Sequence, residues 1–217
     1  LKDDGSIISW GKGAVSLNGH GGNNDFSSGV IDVSITENAI AALKSDGSVI
    51  PYGNGISGGD GTIYPTGASV LNSINSGVTE VFSTLNAFSA LKSDGSVIAW
   101  GHHHWGGNTN NNQGLSSDVI DIISSRSAFA ALKSDGSVVA WSGNPSLTDG
   151  GDVTGVITGV NAEMSLTSGI NAIYSNNFAF AALDSDGASV PADGTPCDDG
   201  DPSTTGDVYV NGVCQGT

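Results

Sequence analysis

At 217 residues the chain is long enough for one sizeable core or a short array of small units. It carries 22 acidic against 6 basic side chains, a formal net charge of −16, and a nucleic-acid duplex or an anionic bilayer would repel it. Apolar residues make up 37%, glycine fills 33 positions, and glutamate is confined to Glu37, Glu80 and Glu163, a composition that favours strands and turns over helices.

The chain opens in mid-motif with Leu1-Lys2-Asp3-Asp4-Gly5-Ser6-Ile7, so processing, or a fragment of a longer protein, is expected. No signal peptide is visible, and no stretch of about 18 apolar residues exists to insert into a membrane. Downstream the opening motif recurs. Leu43-Lys44-Ser45-Asp46-Gly47-Ser48-Val49 is repeated at residues 91–97 and 132–138, and a degraded copy begins at Leu183-Asp184-Ser185-Asp186-Gly187. The leucines stand 42, 48, 41 and 51 residues apart.

Each copy follows the same order. An alternating segment comes first: Val30-Ile31-Asp32-Val33, Val78-Thr79-Glu80-Val81, Val119-Ile120-Asp121-Ile122 and Ile170-Asn171-Ala172-Ile173. Its period of two predicts a strand. An apolar run then leads to the leucine, as in Ala87-Phe88-Ser89-Ala90 and Ala128-Phe129-Ala130-Ala131. The Asp-Gly that follows lies between two apolar runs and predicts a tight hairpin, because glycine tolerates a positive φ there. The third strand carries a recurrent aromatic: Trp10, Tyr52, Trp100 and Trp141. A Gly-Gly-Asn/Asp then opens a loop of variable length, with a weaker fourth strand expected near Ala68-Ser69-Val70-Leu71. Three or four short strands cannot bury both faces of a sheet alone, so each unit must stack on its neighbours. The expected fold is all-β: a propeller-like array of four to five small antiparallel sheets over residues 1–190, followed by a tail over 191–217.

With those residues in view, the chain resembles the regulator of chromosome condensation repeat family, whose pattern is an apolar Ala-Leu strand, an Asp-Gly turn, Val-x-x-Trp-Gly and a Gly-rich loop. The likeness covers about residues 1–190 and is greatest to short-repeat versions in large secreted bacterial proteins. It implies a β-propeller with one blade per repeat. Nucleotide exchange and chromatin binding do not carry over, since no basic loop is present and Lys44, Lys92 and Lys133 recur as hairpin residues. The tail from Cys197-Asp198-Asp199-Gly200-Asp201-Pro202 resembles a module of secreted bacterial proteins, which implies an extracellular or cell-surface address. Cys197 and Cys214, close together in a chain with no other cysteine, are expected to form one local disulfide in an oxidising compartment.

The two ends are complementary. After Asp186-Gly187 the last copy reads Ala188-Ser189-Val190-Pro191 where a Trp-Gly strand belongs, while the first copy supplies Ile7, Ile8 and Trp10 with no strand before them. That N-terminal strand could close a five-unit ring within one chain, or complete the last sheet of another copy. Alternatively the chain is an open piece of a larger protein.

Candidate chemistry is sparse. His102-His103-His104-Trp105 could offer a transition-metal cluster, but adjacent strand residues alternate faces, so an exposed loop tip is expected. Asp198, Asp199 and Asp201 could give calcium hard oxygen ligands, although the spacing of a calcium loop is absent, and no other cofactor is expected. The recurrent aromatics are expected to pack between units, leaving Trp105, with Asn108 and Asp60, as the surface for a ligand such as a glycan. Asp46, Asp94, Asp135 and Asp186 have a sufficient role as turn residues. No nucleophile elbow or phosphate loop is present, and no carboxylate pair stands out. The expected function is therefore that of a secreted or cell-surface structural or adhesive repeat protein, perpetuated by self-association or within a larger surface protein, and not an enzyme. A glycan-binding propeller is the alternative, and a polysaccharide-active enzyme the third.

Overall fold

The computed structural model describes residues 2–7, 26–109, 113–141, 168–184, 208–210 and 213–215, the last two segments by backbone pairing alone. Its described elements are strands and three short 3-10 turns. Sheet 1 holds β1 (Val30–Ile35), β2 (Ala39–Lys44) and β3 (Val49–Gly53). Between sheets 1 and 2 run β4 (Thr62–Tyr64) and β5 (Ala68–Ser69); the weak strand expected there is two residues long. Sheet 2 combines these with β6 (Val78–Ser83), β7 (Ala87–Lys92) and β8 (Val97–His102), in the order β5-β4-β8-β7-β6. Here β4 lies parallel to β8, so this sheet is not wholly antiparallel as expected. Sheet 3 holds β9 (Val119–Ser124), β10 (Phe129–Lys133) and β11 (Val138–Trp141), and sheet 4 holds β12 (Ile170–Ser175) and β13 (Phe180–Asp184). In the tail, β14 (Val208–Val210) pairs with β15 (Val213–Gln215).

The register repeats from sheet to sheet. Leu43 faces Val49, Leu91 faces Val97 and Leu132 faces Val138 across the Asp-Gly turn, while Phe88 faces Trp100 and Phe129 faces Trp141. Each first strand carries a bulge at its second residue, for example between Val30 and Asp32. The extra residue turns Ile31 and Ile120 out to solvent and brings Val30 with Val33, and Val119 with Ile122, to one face. The position before the first strand needs a positive φ. It is glycine in three sheets and Asp118, at φ 67°, in sheet 3.

The core lies between sheets. In sheet 2, Phe88, Ala90 and Trp100 face back onto Ala39, Ala41, Leu43 and Val49 of sheet 1. Ala87, Leu91 and Val97 face forward onto Phe129, Ala131 and Trp141 of sheet 3. Ala130 and Leu132 face forward onto Ile170 and Ile173 of sheet 4. Backbone bonds fasten both ends of these junctions. At one end the turn glycine's carbonyl accepts the first amide of the next sheet: Val78 to Gly47 at 2.9 Å, Val119 to Gly95 at 3.1 Å and Ile170 to Gly136 at 3.0 Å. At the other end Glu37 N–H donates to Leu85 O at 2.8 Å, Leu85 N–H to Arg126 O at 2.9 Å and Arg126 N–H to Asn177 O at 3.3 Å.

One position breaks the pattern. Ser89 sits where the other units have Ala41, Ala130 and Ala181, and its hydroxyl is buried with no hydrogen-bond partner. An unmet buried polar group costs about 1–3 kcal/mol. Ser89→Ala should therefore raise stability by about 1 kcal/mol in denaturant titration; an unchanged or lower midpoint would contradict the assignment.

Candidate functional site

The Asp-Gly turns lie along one side of the stack, one to a sheet. In each, a carboxylate oxygen accepts the amide of the serine two residues on, at 3.0 Å for Asp46–Ser48 and Asp94–Ser96 and 2.9 Å for Asp4–Ser6 and Asp135–Ser137. In the last three pairs of the chain the serine hydroxyl donates as well, at 2.6 Å. These serine bonds, hydroxyl first and then amide, hold the carboxyls of Asp4, Asp46, Asp94 and Asp135 below the ordinary aspartate value. Protonation therefore favours the unfolded chain. The stabilisation is complete above the ordinary aspartate range near pH 4 and is lost as pH falls through the lowered values. Carboxyl titration by NMR should show the Asp94 pKa rising toward the ordinary value in Ser96→Ala; no movement would remove the hydrogen bond as its cause.

Opposite the turns, the Gly-Gly segments carry the polar candidates. Asn54 and His102 cap short 3-10 turns, each accepting an amide two residues on. The turns end at Gly58 and Gly106, at φ 86° and 88°, whose carbonyls accept the indole N–H of Trp100 at 3.0 Å and Trp141 at 3.1 Å. Both indoles are buried and stack on Phe88 and Phe129 with ring centroids 5.3 Å apart. The recurrent aromatic is thus core at these two positions, and Tyr52 is half-buried against Phe26. Trp10 lies outside the described residues.

Trp105 occupies the place that Ser57 holds in the preceding turn. Ser57 donates to Asn86 Oδ1 at 2.7 Å, whereas the position equivalent to Asn86 in the next unit is the small Ser127. The indole is half-buried and packs on the core between sheets 2 and 3, so the exposed ligand contact expected of it is in part a packing residue. Asp60 is exposed, and its carboxylate accepts the Thr62 amide at 3.0 Å and hydroxyl at 2.7 Å, which is a turn role. Asn108 is half-buried at the equivalent position in the next connection.

The sequence did not bring Tyr64 to the histidines, because β4 is three residues long and pairs in parallel. Tyr64 lies 5.1 Å from His102 between ring centroids, and the Tyr64 carbonyl is 3.0 Å from His103 Nδ1. His103 and His104 rings approach to 3.9 Å. Burial, then the neighbouring imidazoles, holds His102 and His103 below the ordinary histidine value, with the Tyr64 carbonyl opposing this at His103. Among the described residues no group of three His, Cys, Asp or Glu is placed to hold a metal ion. Asp198, Asp199, Asp201, Cys197 and Ile8 lie outside the described residues, and of Cys214 only the backbone in β15 is described. Ile7 is described. Its amide donates to Phe26 O at 3.1 Å, as Val49 donates to Ile74 O, and its side chain packs on sheet 1.

No protein family matches the chain, and no curated protein does. Among solved structures, human WBSCR16 is 18% identical with a TM-score of 0.40, over 55% of this chain and 34% of that one. Prp20p from Saccharomyces cerevisiae is 17% identical with a TM-score of 0.39, over 55% and 32%. The ectodomain of the Physcomitrella patens receptor kinase CR4 is 9% identical with a TM-score of 0.46, over 77% and 39%. The chain spans about a third of the length of these proteins, and at TM-scores below 0.5 they stand as similarities only.

Proposed function

We propose that the chain is a structural repeat module of an extracellular or cell-surface assembly, with blade-like sheets of the regulator of chromosome condensation type. The observation that carries this reading is the junction itself, repeated at Gly47–Val78, Gly95–Val119 and Gly136–Ile170. Such a stack transmits load along its axis and is lengthened by adding units. The described carboxylates with resolved roles serve turns, which supports a non-enzymatic reading. Acidity, the two cysteines and the likeness of the tail support the extracellular address. Antibody labelling of intact source cells tests it: surface label, removed by external protease, is expected, and label found only after permeabilisation would contradict it.

Glycan binding is a second reading, favoured by the partly exposed ring cluster of Tyr64, His102, His103 and His104 beside Trp105. A glycan array that lights up with the native chain and goes dark with Tyr64→Ala would establish it.

A further inference from the structure

The connections that leave sheets 1 and 2 make the same short turn with different caps. In the first, Asn54 Oδ1 accepts the Ile56 amide at 2.8 Å. In the second, His102 Nδ1 accepts the His104 amide at 3.2 Å. Both capping residues have extended backbone, and both turns close on a glycine of positive φ, Gly58 and Gly106. A carboxamide oxygen accepts at any ordinary pH. An imidazole nitrogen accepts only while it is bare, because both ring nitrogens of the charged form are donors. An amide N–H only donates, so this cap requires the His102 tautomer with its proton on Nε2. At His103 the reverse holds. Its Nδ1 lies 3.0 Å from the Tyr64 carbonyl, which only accepts, so that nitrogen carries the proton.

The turn that His102 caps belongs to the junction between sheets 2 and 3. It spans His103–Trp105, and the Trp105 indole packs on the core that holds Phe129 and Trp141. Trp105 O accepts the Thr84 hydroxyl at 2.8 Å, and Gly106 O, just beyond, accepts the Trp141 indole at 3.1 Å. The three imidazoles are crowded. Ring centroids lie 5.3 Å apart for His102 and His103, 5.4 Å for His102 and His104, and 3.9 Å for His103 and His104. Charging more than one ring therefore costs mutual repulsion in addition to the cap. From β4 the rings meet Tyr64. Asp60, before β4, is exposed with its carboxylate bonded to Thr62, and Arg126, whose carbonyl accepts the Leu85 amide across the junction, is exposed. The charges that act on His102 are those of His103 and His104, and on His103 that of His104. Burial first, and then these neighbours, hold both rings below the ordinary histidine value.

We propose that His102 is a pH-sensitive clasp on the junction between sheets 2 and 3: when its Nδ1 takes a proton from solvent, the His103–Trp105 turn loses its cap and is released, with Trp105, from the junction. The two states are the docked turn and the released one. The stabilisation of the docked turn is complete above the ordinary histidine range, near about pH 6.5, and is lost as pH falls through the lowered values of His102 and His103. The Asp-Gly turns titrate in the carboxylate range near about pH 4, so the two effects occupy separate windows. Asn54 gives the preceding turn a cap that does not titrate, so of these two junctions acid loosens only the second. The clasp requires neither the surface address nor a glycan.

Heteronuclear NMR of the full chain tests the clasp at about pH 7.5 and about pH 5, both above the carboxylate range. At the higher pH the His102 proton is expected on Nε2 and the His103 proton on Nδ1. On acidification, protection of the His104 amide, corrected for its intrinsic exchange rate, should fall about tenfold, as the loss of one cap implies. His102→Asn installs the cap of the preceding unit and should keep that protection at both pH values. His102→Ala has no cap and should show low protection at both. The pH dependence is the readout, so a constant loss of stability from the missing ring leaves it legible. A His102 proton on Nδ1 at about pH 7.5, protection indifferent to pH in the native chain, or a fall that persists in His102→Asn would overturn the proposal.

Discussion

Trp100→Ala should destabilise the protein by about 4 kcal/mol, the largest effect expected of any single side chain here. The indole is fully buried between sheets 1 and 2, stacked on Phe88, and its N–H donates to Gly58 O at 3.0 Å. Truncation leaves a cavity that β-strands on both sides hold open, and it removes one of the two hydrogen bonds the Gly58 carbonyl accepts, the other coming from Gly61 N–H at 3.2 Å. For a chain of this size the melting temperature should fall by roughly 10 °C. Trp100→Phe fills most of the space and loses only the hydrogen bond, so it should cost about 1–2 kcal/mol. Calorimetry separates the two. Equal losses in both variants would mean that packing between the sheets contributes little.

Gly95→Ala should cost about 3 kcal/mol, and the cost should fall on the junction. Gly95 holds φ 76°, and a Cβ built on it would lie 2.7 Å from the backbone nitrogen of Asp118 in the next unit. The substitution therefore combines a left-handed backbone, worth about 1–2 kcal/mol, with a backbone contact that no rotamer relieves. Gly67 supplies the control. It holds φ 69° with nothing within 4 Å of the built Cβ, so Gly67→Ala bears the backbone term alone. Chemical denaturation of both variants gives the difference. If Gly67→Ala were as harmful as Gly95→Ala, the close approach of neighbouring units would have no energetic weight.

Much of the stack was legible because each Asp-Gly hairpin is local. Two apolar runs flanking Asp46-Gly47 specify a pairing that needs no information from elsewhere, and Leu43 faces Val49 as that pairing requires. The first strand was legible as a strand but not in its facing. Strict alternation puts Val30 with Asp32; the bulge puts Val30 with Val33, and only the spacing of three between the valines hinted at it. The packing of Trp105 was not legible for a similar reason. It stands outside the recurrent aromatic column in sequence, yet it packs on the core between sheets 2 and 3, in the unit where serine stands at the Asn86 position. Comparing Ser57 with Asn86 and Trp105 with Ser127 would have revealed that exchange of sizes. The Tyr64–His102 contact depends on a three-residue parallel strand, which carries no periodicity to read.

Amide hydrogen exchange at the junctions tests the stacking most directly. The amides of Val78, Val119 and Ile170, and of Leu85 at the opposite end, bond only to a neighbouring unit, whereas that of Ala90 lies within a strand. If the sheets stand by lying against one another, the two groups exchange together, at the rate set by global unfolding. Junction amides exchanging freely while Ala90 remained protected would show sheets that fold singly, and the stack would no longer explain how this sequence holds its shape.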